Sequence, residues 1–139
     1  MLILDNVITD RGSRYAVSGG ECRSSDEARI FLAELKRNKK FAKATHNSWG
    51  LICGDQLIKN DDGEAGAGMV ILRMLEREGL RDHVRVVTRW FGGKHLGGDR
   101  FRHVPGAVRI YIKGMHVWIL ERCYRLEKNC PTLRGILNR

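Results

Sequence analysis

Residues 83–103, HVRVVTRWFGGKHLGGDRFRH, pass from a strand pattern through a glycine-rich loop into a helix pattern. The first six residues alternate with the two-residue period of a strand, which places Val84, Val86 and Thr88 on one side. Two glycine pairs follow, and glycine tolerates the positive φ angles that tight turns need. This stretch therefore predicts one strand, one tight loop and one helix in direct succession.

The helix pattern after the loop contains Pro105, which would clash with the preceding turn if it lay in a helix interior. We therefore predict that this helix begins near His103 or Val104, or kinks there, and that it ends near Lys113. Its predicted apolar positions are Val104, Ala107, Val108 and Ile110.

Upstream of this stretch, the sequence predicts four further strands and two amphipathic helices. The first helix begins at a capping box, in which Ser24 accepts a hydrogen bond from a helical amide and Glu27 reaches back. Its predicted apolar face comprises Ala28, Phe31, Leu32 and Leu35. The strand patterns cover residues 2–8, 14–18, 47–53 and 56–59.

The second helix ends near Gly79. Before it, Asp61 and Glu64 have the spacing of a second capping box. Its predicted apolar face comprises Met69, Leu72 and Leu75. The order strands, helix, strands, helix, strand, helix indicates an α+β fold, a mixed β-sheet with its helices packed on one face. We expect residues 1–114 to form a single domain and residues 115–139 a C-terminal extension that favours a helix over a strand.

The chain is strongly basic, with 25 lysines and arginines against 16 acidic residues and a formal net charge of +9. Such an excess favours polyanionic partners or acidic protein surfaces. Between Arg81 and Lys113, eight basic residues against two acidic ones give a net charge of +6. A solvated basic face without any partner is the simpler alternative. The eight basic residues are Arg81, Arg85, Arg89, Lys94, Arg100, Arg102, Arg109 and Lys113.

Composition also argues against several classes of protein. No apolar run approaches the roughly 20 residues that a membrane-spanning helix needs, and the first residues lack the basic lead of a secretion signal. The four cysteines form no CxxC pair, and no histidine lies at zinc-finger spacing. We therefore expect a cytoplasmic protein with no membrane association, no metal site and no cofactor.

The loop matches neither common nucleotide-binding motif. A Walker loop requires a lysine and a hydroxyl residue directly after its last glycine, but Asp99 and Arg100 follow Gly98, and the glycine spacing does not fit the dinucleotide fingerprint. We expect Trp90 and Phe91 to help pack the turn. The side chains expected to point outward, towards phosphates or an acidic protein patch, are Arg89, Lys94, His95, Arg100 and Arg102.

Two other stretches could carry chemistry. His46 opens a strand and could act as a general base, although a lone histidine is more often a structural group. In the acidic turn DDGE, the carboxylates of Asp61, Asp62 and Glu64 could bind a divalent cation or polarise water. Capping explains Asp61 and Glu64 without a ligand but leaves Asp62 unexplained. A hydrolase that uses His46 with this acidic turn is therefore the alternative interpretation.

Four blocks of sequence, in this order, resemble the IMPACT family of translation regulators and its bacterial relatives of the YigZ type. The resemblance covers about residues 9–113, and ATHN at 44–47 with the DRFRH after the glycines is closer to the eukaryotic branch. Pro105 and the segment after Gly114 depart from the family pattern. The blocks are RGSRY at 11–15, KKFAKATHN at 39–47, DDGEAGAGMVIL at 61–72 and RWFGGKHLGGDRFRH at 89–103.

The resemblance implies a fold like the second domain of small-subunit ribosomal protein five, in which helices back a sheet and one βαβ crossover is left-handed. It also implies a role in translation, because eukaryotic members restrain the kinase that phosphorylates initiation factor two alpha by competing for its large ribosome-associated activator. We expect the ancestral domain alone, without the amino-terminal RWD domain of full-length eukaryotic members.

These observations predict a non-catalytic, translation-regulatory binding module that acts in stress responses. Its expected partner is the ribosome, RNA or a ribosome-associated protein, and the sequence leaves the choice among them and the oligomeric state open. The predicted binding residues are His46, Arg89, Trp90, Lys94, His95, Arg100 and Arg102.

Overall fold

A computed structural model describes residues 1–129 and contains one five-stranded β-sheet flanked by helices, which confirms the predicted α+β class. The strands are β1 (Leu2–Asp10), β2 (Ser13–Glu21), β3 (His46–Cys53), β4 (Gln56–Asn60) and β5 (His83–Trp90). The helices are α1 (Ser25–Lys36), α2 (Lys39–Ala42), α3 (Ala67–Arg77) and α4 (Arg100–Asn129), with a 3₁₀ turn at Gly97–Asp99.

The sheet is antiparallel throughout, so the prediction of a mixed sheet is wrong. The strand order is β1-β2-β5-β3-β4, and all four neighbouring pairs are antiparallel. β2 and β3, which α1 connects, run parallel to each other, but β5 lies between them. β4 and β5 are likewise parallel and separated by β3. The strand–helix–strand order is as predicted, but the sequence does not reveal that each crossover skips one position.

Helices cover both faces of the sheet, so the prediction that they pack on one face is also wrong. α1 and α2 cover one face, where Phe31 and Phe41 pack with Leu51 and Val86. Because strands β2, β3 and β5 carry apolar residues on both sides, they need a helical layer on each side. The cluster beneath α3 and α4 includes Tyr15, Val17, Ile52, Ile71, Leu75, Val87, Val108 and Tyr111.

The two crossovers have opposite hands. β2–α1–β3 and β4–α3–β5 each move two positions across the sheet. If the sheet is rotated by 180° about its normal, β4 and β5 take the strand directions and the direction of crossover of β2 and β3, because β4 and β5 run opposite to β2 and β3. Their helices, α1 and α3, nevertheless lie on opposite faces. One crossover is therefore left-handed, as the resemblance implies, although right-handed crossovers are the general rule.

The start of α1 follows the predicted capping box. The Ser24 hydroxyl accepts a hydrogen bond from the Glu27 amide at 3.1 Å, and the Glu27 carboxylate accepts one from the Arg23 amide at 2.7 Å. All four predicted apolar residues of α1 are buried. Asn38 then caps the short helix α2, which the sequence pattern does not indicate.

The helix after the loop, α4, begins at Arg100 and not near His103 or Val104 as predicted. Pro105 lies in its second turn, where the missing amide removes one hydrogen bond close to the helix start. The helix nevertheless continues through the proline, and Val104 and Ala107 on either side of it are buried in the core. α4 continues as one helix to Asn129, and residues 130–139 of the predicted C-terminal extension lie outside the described residues.

The apolar sides of α3 and α4 differ from the prediction at one position each. Met69 is 42% exposed, because the buried side of α3 passes through Ile71, Leu72 and Leu75. Ile110 is 36% exposed on α4, while the other three predicted apolar residues are buried. Among the described helices, none combines the length and apolar character that a membrane span requires.

Candidate functional site

The glycine loop between β5 and α4 is held by the turn between β1 and β2. A side chain at Gly92 would place its Cβ 2.0 Å from the Gly12 carbonyl carbon, so the two backbones can approach this closely only at glycine. The Gly92 amide also donates to the Ser13 hydroxyl at 3.3 Å. The first glycine pair thus fixes where the chain leaves β5.

Arg11, at the tip of the β1–β2 turn, binds the second half of the loop. Its guanidinium donates to two loop carbonyl oxygens at 3.4 Å and pairs with the carboxylates of Asp99 and Asp10. Asp10 also accepts a hydrogen bond from His103 Nε2 at 2.8 Å, and this bond holds the pKa of the Asp10 carboxyl below its usual value. Polar contacts therefore tie the loop and the first turn of α4 to the sheet.

Three side chains form a row across neighbouring strands on the face that α3 and α4 cover. Arg89 on β5 lies opposite Tyr15 on β2 and opposite His46 on β3 in the strand register. Residues directly opposite each other on antiparallel strands point to the same face, so the strand order brings these three together. The Arg89 guanidinium carbon lies 5.8 Å from the centre of the Tyr15 ring.

Arg89 points inward, so the prediction that it points outward is wrong. The residue is 7% exposed, and its Nη1 bonds to both oxygens of Glu64, at 2.9 and 3.2 Å. Glu64, in the loop before α3, is itself 5% exposed. A buried arginine needs a partner that compensates for its lost hydration, and Glu64 supplies that charge. This buried ion pair joins β5 to the start of α3.

Two further side chains lie beside the Glu64 carboxylate. His46 Nε2 lies 3.2 Å from one oxygen, and Arg100 Nη1 lies 3.7 Å from the other. His46 Nδ1 lies 2.8 Å from the carbonyl oxygen of Asp62, which can only accept a hydrogen bond. Both ring nitrogens of His46 therefore contact acceptors of the protein itself.

Asp61 and Asp62 are both bonded to backbone amides. The Asp61 carboxylate accepts hydrogen bonds from the amides of Gly68 and Gly66, at 2.8 and 3.1 Å. These bonds, that from Gly68 above all, lower the pKa of the Asp61 carboxyl. The Asp62 carboxylate accepts a hydrogen bond from the amide of Asn47 at 2.7 Å. This bond gives a structural reason for Asp62, which helix capping had left unexplained.

These contacts disfavour the hydrolase alternative. His46 and Glu64 are close enough to act together, as the alternative requires, but Glu64 is buried against Arg89. Asp61 and Asp62 hold backbone amides, and the predicted capping role of Glu64 is wrong because its carboxylate pairs with arginine. Within the described residues, no group of three or more histidine, cysteine or acidic side chains could hold a metal ion.

Trp90 lies on the opposite face from Arg89, against α2. Its indole donates to the carbonyl oxygen of Lys40 at 2.9 Å, and its ring centre lies 5.3 Å from that of Phe41 in an edge-on contact. Adjacent residues of a strand point to opposite faces, so Trp90 cannot join the Arg89 row. Trp90 anchors α2 and does not pack the glycine loop, contrary to the prediction.

Four of the predicted binding residues lie on the outer side of the loop and the first turn of α4. Lys94 and His95 are exposed, and the side chains of Arg102 and Arg100 are 70% and 37% exposed. Arg102 also pairs with Asp99 at 3.6 Å, an exposed contact that holds it weakly. We define the loop surface as these four residues with the two exposed aromatics beside them: Phe91, Lys94, His95, Arg100, Phe101 and Arg102.

A cavity of about 250 Å³ opens beneath the loop. Two buried polar atoms of the Arg89 row, Arg89 Nε and the Tyr15 hydroxyl oxygen, have no hydrogen-bond partner within residues 1–129. Burial raises the pKa of the Tyr15 hydroxyl to about 12. The residues that line the cavity are Arg89, His95, Leu96, Gly97, Arg100 and Phe101.

The sequence prediction did not single out four residues that hold this site: Asp10, Arg11, Tyr15 and His103. Arg11, Tyr15 and His103 lie in blocks that carry the family resemblance, which was the available signal. Their structural roles depend on contacts between residues 74 to 93 positions apart, and no local pattern shows that the β1–β2 turn meets the loop.

Comparisons with known proteins agree with this fold. The family model for the Impact N-terminal domain matches residues 11–112. The chain is similar to Protein IMPACT of Bos taurus, with 38% identity over 108 residues that cover 73% of this chain and 34% of that protein. Its similarity to the Protein IMPACT homolog of Caenorhabditis elegans is 37% identity over 111 residues, which cover 74% of this chain and 43% of that protein. A solved structure of a hypothetical protein aligns with a TM-score of 0.71 and 24% identity, over 80% of this chain and 57% of that chain, and supports the fold.

Proposed function

This chain belongs to the IMPACT family, and from that premise we propose that it is a non-catalytic binding module that regulates translation. Its proposed partner is the ribosome, RNA or a ribosome-associated protein, such as the activator of the kinase that phosphorylates initiation factor two alpha. The chain matches 34% of the length of the bovine relative, so the activity and partners of whole family members are part of the proposal.

The observation that carries the proposal is the loop surface. Lys94, Arg100 and Arg102 place three permanent positive charges around one loop, and the acidic Asp99 among them is paired with Arg11. Such a cluster attracts polyanions and increases their association rate. Exposed aromatic rings between cations are also typical of surfaces that bind single-stranded nucleic acid.

The buried ion pair supports a structural role beneath this surface. Glu64 compensates for the charge of Arg89 and lies 3.7 Å from Arg100, so the same carboxylate helps to position one cation of the loop surface. His46 bridges Glu64 and the acidic turn, with one ring nitrogen in contact with each. This arrangement favours binding over catalysis.

Co-sedimentation with purified ribosomes tests the proposal. The intact chain should pellet with ribosomes at low salt, and Lys94→Ala with Arg102→Ala should weaken this association about tenfold because two phosphate contacts are lost. Binding that survives nuclease treatment would assign a ribosomal or ribosome-associated protein as the partner, and binding that nuclease removes would assign RNA.

A matched control separates the loop surface from net charge. Arg73→Ala with Arg77→Ala removes two exposed positive charges from α3 and should leave the association within about twofold of the wild type. Equal losses in both double variants would show that charge alone drives the association. Failure of the wild-type chain to pellet would reject the ribosome as the partner.

A further inference from the structure

The cavity beneath the loop carries more positive than negative charge. Arg89 and Arg100 both contact Glu64, but one carboxylate compensates for only one guanidinium. Glu64 itself does not line the cavity, whereas both arginines and His95 do. Asp99, the acidic residue of the loop, is already paired with Arg11. The cavity is therefore suited to an anion.

Arg89, which lines the cavity, and Tyr15 beside it each have one buried polar atom without a hydrogen-bond partner among the described residues. Arg89 is 7% exposed, and its Nε has no hydrogen-bond partner among the residues that the structure describes. The Tyr15 hydroxyl also has no hydrogen-bond partner among the described residues, and Tyr15 is 1% exposed. The Arg89 guanidinium lies beside the Tyr15 ring. Both polar atoms are closed to solvent, so an anion in the cavity would meet Arg89 through the part of its side chain that lines the cavity.

An exposed aromatic ring lies at the mouth of the same cavity. Phe101 is 54% exposed, and the Arg100 guanidinium carbon lies 4.8 Å from its ring centre. Phe91, 44% exposed, lies beside the His95 ring with 5.4 Å between ring centres. An acidic peptide would use the cations but not these rings, whereas a nucleotide offers both a phosphate and a planar base.

We propose that this cavity is a nucleotide site, in which Arg89, Arg100 and His95 hold one phosphate group and Phe101 stacks with the attached base. The inference rests on the proposed function, because it names the chemistry with which the loop surface would meet RNA. At about 250 Å³ the cavity is smaller than the roughly 300–1,000 Å³ of most ligand pockets, so it encloses the phosphate and leaves the base at the rim. The nucleotide could be free or part of a single strand.

Fluorescence anisotropy with a labelled ten-nucleotide oligouridylate and the intact chain tests this site. Arg100→Gln should weaken binding about tenfold, because a charge-assisted phosphate contact is lost. Phe101→Leu keeps the apolar bulk but removes the stacking ring, and should weaken binding about fivefold or more. The matched control is Arg109→Gln, an exposed arginine about 14 Å farther along α4, which should change binding less than about twofold.

Competition by uridine monophosphate distinguishes the two sources of the ligand. Displacement of the oligouridylate at millimolar concentration would assign the site to free nucleotides, and oligouridylate binding without displacement would assign it to a nucleotide within a strand. Either result supports the site, provided that circular dichroism shows all variants to be folded.

Three results would overturn the inference: no oligouridylate binding at about 50 mM salt, equal losses in Arg100→Gln and Arg109→Gln, or an undiminished affinity in Phe101→Leu. If oligouridylate binding is absent but the chain still pellets with ribosomes, the nucleotide site is wrong and the proposed function stands. If both are absent, ribosome or RNA binding is wrong as well.

Discussion

Arg85 and Arg89 lie four residues apart on β5 and point to the same face of the sheet, yet their surroundings differ. Arg89 bonds to Glu64 at 2.9 Å and lines an open cavity. Arg85 is 0% exposed, donates to the sulfur of Met115 at 3.3 Å, and lies 4.0 Å from the centre of the Tyr111 ring. Among the side chains that the structure describes, no carboxylate pairs with Arg85.

The two arginines therefore have different physical roles on one strand. Burial lowers the pKa of Arg85 to about 10, so its guanidinium stays protonated at neutral pH and is stabilised mainly by the Tyr111 ring. His83, which contacts Arg85, has its pKa lowered to about 4, first by burial and then by the Arg85 charge. The part of β5 around Arg85, the Arg85 end, is closed by packed side chains. The part around Arg89, the Arg89 end, borders an open cavity and is held by an ion pair.

The basic stretch from Arg81 to Lys113 presents fewer charges at the surface than its sequence indicates. Two of its eight cations, Arg85 and Arg89, are buried, and of these two only Arg89 lines the cavity beneath the loop. The outward charge near the loop comes from Lys94, Arg100 and Arg102. Net charge along the sequence therefore overstates the charge of the surface.

Glu64→Gln should destabilise the fold most, because it removes the carboxylate that pairs with Arg89 and that has no counterpart beside Arg85 among the described side chains. Arg89 would remain buried without a compensating carboxylate, and the free energy of unfolding in urea should fall by about 3–5 kcal/mol. The control Glu34→Gln breaks an exposed pair with Arg37 at 3.3 Å and should cost less than about 1 kcal/mol. Equal costs would show that Glu64 does not hold Arg89.

Gly19→Ala should have the next largest effect, because it tests whether the Arg85 end is sealed. The added Cβ would lie 2.6 Å from the Val84 carbonyl oxygen and 2.8 Å from Arg85 Nη1. β2 and β5 would have to separate, at a cost of about 1–3 kcal/mol in unfolding free energy. Gly98→Ala, whose Cβ would meet no atom within 4 Å, should change this quantity by less than about 0.5 kcal/mol. A tolerated alanine at position 19 would mean that this end can open.

Arg85→Met should change the unfolding free energy less than Gly19→Ala, and far less than Glu64→Gln. The substitution replaces a buried charge that has no carboxylate partner with an apolar side chain of similar length. The unfolding free energy at neutral pH should stay within about 1 kcal/mol of the wild type or rise, because unpaired buried charges are unfavourable. A loss as large as that of Glu64→Gln would contradict the assignment of Arg85 to packing.

His83, beside Arg85, makes the stability of the fold depend on pH. Its pKa is 6.5 when unperturbed and about 4 in the fold, so between these pH values the unfolded chain binds more protons. His83 therefore contributes stability that is present above pH 6.5 and is lost as the pH falls through 4. An NMR titration should find its ring neutral down to about pH 4 in the wild type and protonated at higher pH in Arg85→Met. A wild-type titration near pH 6.5 would show that neither burial nor Arg85 acts on this ring.

Local structure was predictable where the determining contacts are close in sequence. In α1, the Ser24 cap and the four apolar positions lie within a few turns, and the structure confirms both. The alternation of β5 correctly separates Val84 and Val86 from Arg85, but it does not reveal that helices bury both sides of the strand.

The candidate site was less predictable, because distant contacts decide its geometry. The orientation of Arg89 depends on Glu64, 25 positions away, and on the neighbours that the strand order gives to β5. A basic residue at the end of a strand is usually exposed, and nothing near Arg89 in the sequence identifies its partner. Lys94 and His95 were placed correctly because a glycine-rich turn leaves their side chains in solvent.

We propose that the outward cations of the loop surface carry docking, while Arg85 and the ion pair of Arg89 with Glu64 stabilise the fold beneath them. The most direct test is the affinity for purified ribosomes as a function of salt, for the wild type and for Lys94→Ala with Arg102→Ala. We predict that the slope of log affinity against log salt becomes shallower by about 1.4–1.8 for the two lost phosphate contacts, while the unfolding free energy stays within about 0.5 kcal/mol of the wild type. An unchanged slope in a stably folded double variant would contradict the claim.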